Sequence, residues 1–427
     1  MWAIFARFII GILVSFYIFP VEFTFLLGQN TKKLLAVIGL IFLGYKYIQK
    51  RSFQINRDFV TVSICAILVS IAGIFSITFN NTPDTAYASY IVSMWVWLGG
   101  AYAIVSIIKL YHKKLSVELV CYYLMGVCVA QCIVAFAMDL SPVLKAYVDR
   151  YFVTTIMNGV ERRLYGIGCA LDVAGTRFSA VLIMVSIVLM KFGQKMSKWR
   201  LLICIVSFLI IAVLGNMIAR TTIVGLIIAL IVIMLQSSSL NIASGKQRVV
   251  RWVVFIILLL VPLVVFYYDT NPQIRENIRF AFEGFFSLAE KGEWDVDSND
   301  RLVDMIVFPE SFKTWIIGDG YFDGPTITDP YYVGPTMTGF YMWTDIGYLR
   351  FIFYFGLLGL FLFVFFFVKC TQICVRSLVE YSLLFWLLLT LNFIVWFKVS
   401  TDIFVMFALF LCVSFEQEER LDYTGQL

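Results

Sequence analysis

The stretch GFYMWTDIGYLRFIFYFGLLGLFLF, residues 339–363, places charge where oil begins. From Ile346 onward it is almost wholly apolar. Yet an acid, Asp345, stands at the start of the apolar run, and a base, Arg350, stands about one turn further in. An ionised side chain at the centre of a bilayer costs at least about 2.5–3.5 kcal/mol on insertion scales, and less near the ends. Charges of both signs at one membrane entrance therefore call for a reason. Asp345 follows a threonine and precedes an apolar run, so an N-cap role stands beside a functional one. Arg350 either neutralises Asp345 or another loop acid, or serves a ligand.

The rest of the chain sets this stretch in context. Of its 427 residues, 61% are hydrophobic and 14% charged, where a soluble domain carries about 25% charged residues. Apolar runs recur near 5–25, 34–48, 59–79, 88–110, 117–138, 173–192, 201–218, 221–236, 252–268, 346–368, 378–397 and 401–415. Runs of this kind read as membrane helices. The predicted fold is an all-α polytopic membrane protein of about twelve transmembrane helices, with a large external loop subdomain before helix 10. Arg7 precedes the core of the first run and no small-residue cleavage site follows it, so that run reads as a retained helix.

Lys and Arg in the short connections set the orientation. KYIQKRSFQINR (46–57), KLYHKK (109–114), KFGQKMSKWR (191–200), GKQRVVR (245–251) and KCTQICVR (369–376) all fall on one side if the N-terminus is cytoplasmic. Twelve crossings then return the C-terminus to the cytoplasm. Lys32, Lys33 and Lys398 fall on the other side as exceptions. The organisation is helices 1–5 over residues 1–138, a first external loop over 139–176, helices 6–9 over 177–268, a large loop over 269–345, and helices 10–12 with a tail over 346–427. Of nine cysteines only Cys169 falls in an external loop, which predicts no disulfide framework. No spacing suggests a metal site. The sole histidine, His112, reads as a solvated residue on the cytoplasmic side.

The two long connections differ in charge. Segment 139–177 has five basic and four acidic side chains, whereas 269–345 has five basic and fourteen acidic, a net of −9. Long loops usually carry function. The large loop opens with NPQIRENIRFAFEGFFSLAEKG (271–292), where Ile274, Ile278, Phe282, Phe285 and Phe286 recur at helical spacing. That predicts an amphipathic helix, lying on the membrane face or packing on the rest of the loop.

Charges meet the outer ends of three helices: Arg177 at the sixth, Arg220 between the seventh and eighth, and Asp345 with Arg350 at the tenth. Such groups face the bundle interior and pair, or mark a substrate path. Arginine presents a planar fork of donors to phosphate oxygens at any relevant pH. A set of them at headgroup depth suits a lipid pyrophosphate, and would stabilise charge developing on it as a leaving group. A carboxylate such as Asp345 would accept the proton of an attacking hydroxyl; Asp319 or Asp323 suits the same role. For Arg177 and Arg220, snorkelling to headgroups is the plainer alternative. Arg162 and Arg163 read as further substrate contacts or as ordinary loop arginines. In DSNDRLVDM (297–305), Arg301 reads as a salt bridge among acids or as a substrate contact. Tyr321, Tyr331, Tyr332, Tyr341 and Trp343 suit stacking on sugar faces, although aromatic residues also form ordinary interfacial belts. The acidic loop suits sugar hydroxyls better than free phosphate, which it repels.

Together RRLYGIGCALDVAGTRFSAVLI (162–183), GNMIARTTIVGL (215–226), WIIGDGYFDGP (315–325) and GFYMWTDIGYLRFIFYFGLLGL (339–360) resemble the bacterial O-antigen polymerase family, a relative of the O-antigen ligases. The resemblance covers roughly residues 150–370. It implies an enzyme of the inner membrane, acting on its periplasmic face, that transfers a growing glycan from undecaprenyl pyrophosphate to a new undecaprenyl-linked oligosaccharide unit. It implies no cofactor and no metal, because the pyrophosphate link stores the energy, and no nucleic-acid partner. A chain-length regulator and a flippase are implied as further partners. By motif, Arg177 and Arg220 match family arginines taken as pyrophosphate ligands. Asp345 stands where related ligases place a histidine, and this departure favours a polymerase over a ligase. A flippase for lipid-linked oligosaccharide is the alternative from another class; paired halves and short loops would mark it, and neither is seen.

Overall fold

The computed structural model describes residues 2–25, 28–50, 56–153, 164–238, 262 and 264–424. The regular elements among these residues are all helices, with only isolated bridges and no strand. Among the described residues six helices are long and apolar enough to cross a membrane: Arg57–Asn80, Tyr90–His112, Val117–Leu140, Leu171–Phe192, Lys198–Ile218 and Gly347–Ser377. Shorter apolar helices occupy Trp2–Ile18, Thr222–Leu235, Val379–Val395 and Phe404–Gln417. This is the make-up of a multi-pass helical membrane protein. With Thr31–Lys50, helices coincide with eleven of the twelve expected runs; the remaining run, 252–268, lies mostly outside the described residues. The first helix ends at Ile18 and not near 25. Pro20 explains this, since the residue before a proline is pushed out of the helical region.

The chain divides into two compact units. The first comprises residues 1–32 and 111–296. Its centre is Leu171–Phe192, buried along nearly its whole length. Small residues allow this. A methyl added at Gly225 would meet the Ser179 Cα at 2.2 Å, and the Ser179 hydroxyl donates to the Thr221 carbonyl at 2.9 Å. Close helix approach through small residues is the usual packing inside membranes. Ser141 caps Pro142–Tyr151, a helix in the first long loop.

The expected single amphipathic helix over 271–292 is two helices, Pro272–Ala281 and Glu283–Lys291. The chain breaks at Phe282, whose φ and ψ are −121° and 28°. Pro272–Ala281 does pack, but not on the rest of the loop as one reading expected: it lies against Lys198–Ile218 with Ile278 and Ala281 buried.

The second unit comprises residues 33–110 and 297–427. At one end Glu416 is buried and accepts from Lys46, Lys109 and Tyr102. Three basic or acidic helix ends thus meet where the short basic connections begin. Thr31–Lys50 and Tyr90–His112 cross at Gly39 and Gly99, so tightly that a methyl at Gly39 would overlap the Gly99 carbonyl.

Within this unit, Gly347–Ser377 is broken at Phe355–Gly356, where Gly356 takes φ 67° and ψ −174°. Eight residues, Gly347–Tyr354, precede the break, and the 21 residues after it are enough to span a bilayer at about 1.5 Å each. Arg350 therefore stands ahead of the crossing segment, in a short turn of helix that a loop covers. The break frees carbonyls, and the loop satisfies them. Asp319 N–H donates to the Phe353 carbonyl at 2.6 Å and Gly320 N–H to the Tyr354 carbonyl at 3.1 Å; the Ser76 hydroxyl donates to Tyr354 as well, at 2.6 Å. The glycines of IGDG are needed for this close approach, since a methyl at Gly318 would lie 2.5 Å from the Tyr354 oxygen.

Candidate functional site

Arg350 is the best-held charge of the second unit. Its side chain is 5% exposed. One nitrogen, Nη2, donates to the Phe322 carbonyl at 3.0 Å and to Asp323 Oδ1 at 2.8 Å, and Nη1 donates to Ser400 Oγ at 2.8 Å. The guanidinium carbon lies 3.6 Å from the Phe322 ring centre and 4.1 Å from that of Phe340. Asp345 is more distant, with 3.7 Å between charged atoms. Arg350 thus neutralises loop acids, as one reading of the sequence held, but its first partner is Asp323. Nor does Asp345 cap the helix. Ile346 occupies the N-cap position without a side-chain cap, and its N–H goes to Thr344 Oγ1 at 3.3 Å.

Asp323 is the acid of this set that faces outward, with a side chain 53% exposed. Partial burial raises its carboxyl above the ordinary range, Arg350 opposes this, and Asp84 adds to it. Asp84, buried in the short connection before Tyr90–His112, accepts from the N–H groups of Phe322 and Asp323 at 2.8 and 3.2 Å. No sequence signal marked Asp84. It is one acid in a polar turn, and apart from the Ala86 N–H its side-chain partners lie more than 230 residues away.

Asp319 is fully engaged. It accepts from Lys313 at 2.6 Å, Thr314 at 2.7 Å and, at 3.4 Å, Tyr341. Tyr321 donates to Asp329 at 2.7 Å and its ring lies 5.4 Å from that of Tyr341. Burial raises both phenols, with a neighbouring carboxylate adding to each. Tyr331 is 90% exposed and Trp343 is largely open. Tyr321 and Tyr341 are thus in ring contact, and each bonds a carboxylate. Arg301, expected in a salt bridge, is exposed and has no carboxylate within 4 Å among the described residues. On an open helix such a pair gains little over hydration.

The arginines of the first unit are set differently. Arg177 is buried in the second turn of Leu171–Phe192, with its guanidinium 5.6 Å from the Phe19 ring. Its side chain is thus enclosed by protein. Arg220 is 18% exposed and pairs with Glu283 at 2.6 Å. Its Nε donates to the Phe280 carbonyl at 3.0 Å and its guanidinium lies 4.0 Å over the Phe280 ring. Thr221 donates to Asp172. Glu283 and Asp172 were not singled out in the sequence. Glu283 is one of fourteen acids in its loop, and nothing local distinguishes it.

Arg162 and Arg163 lie outside the described residues. Of the remaining expected site residues, Arg177 and Arg220 belong to the first unit and Asp345, Arg350, Arg301, Asp319 and Tyr341 to the second. Cys169, expected as an external loop cysteine, is buried. The turn that holds it is clamped by Gln131, which bonds both the N–H and the carbonyl of Ile167 at 3.0 Å. His112, expected to be solvated, is half-buried and lies 2.8 Å from the Tyr123 hydroxyl. No group of three or more His, Cys, Asp or Glu side chains among the described residues is arranged to hold a metal. No family model, no curated protein and no solved structure matches this chain.

Proposed function

We propose that this chain is a membrane glycosyltransferase of the O-antigen polymerase kind, joining oligosaccharide units carried on a lipid pyrophosphate. The observation that carries the reading is the setting of Arg220. A carboxylate from the long loop, Glu283, already occupies its guanidinium where the helices Lys198–Ile218 and Thr222–Ser238 meet. A position that holds one oxyanion at that depth suits a phosphate oxygen, and Glu283 acts as the placeholder that the substrate displaces. In the reaction an acceptor hydroxyl attacks the anomeric carbon. A new C–O bond forms, the bond from that carbon to the phosphate oxygen breaks, and the pyrophosphate leaves with the electron pair. The hydroxyl proton passes to a carboxylate. Arg177 and Arg220 would bear the leaving charge. Those two arginines belong to the first unit; within the second unit, taken by itself, Asp345 or Asp323 is the candidate proton acceptor and Tyr321 and Tyr341 the candidate sugar contacts.

The test is deletion in the native host, with surface glycolipids resolved on a gel. Core bearing one repeat and no ladder is the expected result. Core with no repeat, while lipid-linked polymer accumulates, would make the chain a ligase, and an unchanged ladder would sink both readings. Complementation with Arg220→Ala or Arg177→Ala is expected to leave chain growth down by about 10²–10³ if these groups stabilise the leaving pyrophosphate.

The base is assigned separately by pH. If Asp323 takes the proton, its raised carboxyl must be ionised to act. Activity then falls on acidification at a higher pH than an ordinary carboxylate near 3.9 would give. Asp323→Asn should remove about 10²–10⁴ in rate. If Asp345→Asn does this instead and the pH profile of Asp323→Asn matches the parent, Asp323 is not the base.

A further inference from the structure

The first unit contains a cavity of about 610 Å³ at the end of Val117–Leu140 that begins with Glu118. It lies far from the contact at the other end of that helix, where Asn277 donates to Asp139 at 2.8 Å; the helix rise puts the two about 30 Å apart. Three permanently charged groups from three segments, Arg7, Lys114 and Arg200, line it, with His112 beside Lys114. Lys113, in the left-handed region at φ 59°, turns the chain so that Lys114 N–H returns to the His112 carbonyl at 2.6 Å. Lys114 is thereby held beside the helix end it follows.

Against these stands one carboxylate, Glu118, which accepts from Tyr122 at 2.7 Å. Among the described residues no carboxylate lies within 4 Å of Arg7, Lys114 or Arg200. Leu119, Met125 and Ile203 give the same cavity an apolar wall. A concave site with excess positive charge and one oily side matches a phosphate that carries acyl chains. Basic pockets between membrane helices recognise lipid headgroups in this way.

We propose that this cavity binds a phosphate ester, and that its source is the headgroup of an anionic membrane lipid. Each arginine or lysine near such a headgroup contributes roughly a fivefold gain in affinity, so three together contribute on the order of a hundredfold. The site needs none of the residues assigned to glycan transfer.

The test uses the full chain in detergent, titrated by native mass spectrometry with short-chain phosphatidylglycerol, phosphatidylcholine of equal chain length, and glycerol 3-phosphate. Phosphatidylglycerol is expected to bind well above the other two. The variant Arg7→Ala/Lys114→Ala/Arg200→Ala should lose on the order of a hundredfold in affinity. Glu118→Gln removes the one acid of the cavity and should tighten binding severalfold; it decides the matter if the triple variant fails to fold. Glycerol 3-phosphate binding as tightly as phosphatidylglycerol would overturn the lipid as source in favour of a soluble phosphate ester. Equal binding of phosphatidylcholine and phosphatidylglycerol, or Glu118→Gln without effect on either, would overturn the site.

Discussion

Gly356→Ala is expected to abolish, or nearly abolish, recovery of folded protein. The residue sits at φ 67° and ψ −174°, a region open essentially to glycine alone. A methyl group there would also lie 2.1 Å from the Ile316 carbonyl oxygen. Strain of about 1–3 kcal/mol and overlap of about 1–3 kcal/mol act together, for a loss of roughly 4 kcal/mol. That is a large part of what holds a typical domain folded. Gly318→Ala strikes the same joint from the loop side, at φ 84° and 2.5 Å from the Tyr354 oxygen. Once one methyl has parted loop from helix, the second has less to disrupt, so the pair should be sub-additive. Gly126→Ala is the control: nothing lies within 4 Å of its methyl and its helix is regular. It should leave stability unchanged or raise it by about 0.5–1 kcal/mol. Thermal melts in detergent compare the four variants with the parent. A Gly356→Ala melt like the parent's would show that the break is not needed for folding.

The second large effect belongs to Arg350. Arg350→Ala removes three hydrogen bonds and vacates the gap between the Phe322 and Phe340 rings. The expected loss is about 3 kcal/mol. Arg350→Lys should recover less than half of it. An ammonium keeps the charge, but it cannot reach Ser400, Phe322 and Asp323 together, nor lie flat between two rings. The Asp323 partner contributes a smaller share. Because that carboxylate is about half exposed, water screens the pair, and a double-mutant cycle should give a coupling of about 1 kcal/mol. A coupling above about 3 kcal/mol would mean that the ion pair, and not the ring sandwich and backbone contacts, holds the loop to the helix.

These two residues also mark how far sequence alone reaches. Arg350 stood out as a base in oil, whereas Gly356 was one glycine in an apolar run and did not. The role of neither was legible. Arg350 faces Asp323, 27 positions earlier, and no periodicity links them. Asp345 looked like a cap because TD precedes an apolar run, but the N–H groups at the helix start go elsewhere, that of Ile346 to Thr344 Oγ1 and that of Tyr348 to the Trp396 carbonyl. Asp84 and Glu283 were invisible for a related reason: each is one ordinary acid whose meaning lies in a partner far along the chain. Arg177 and Arg220 were found from their position at helix ends, and the structure buries or pairs both.

What the sequence determined by itself is the class of the molecule. Apolar runs near 20 residues admit only helices in a bilayer, since each backbone group must bond within its own segment there. The two long connections also follow from local composition. The tertiary structure alone decided where Gly347–Ser377 breaks, which loop carries the bonds the break releases, and which acid each arginine meets. Hydropathy and helical spacing report the faces of one element at a time. Carbonyls freed by a break and charges buried under a loop are satisfied only by groups brought from elsewhere in the chain.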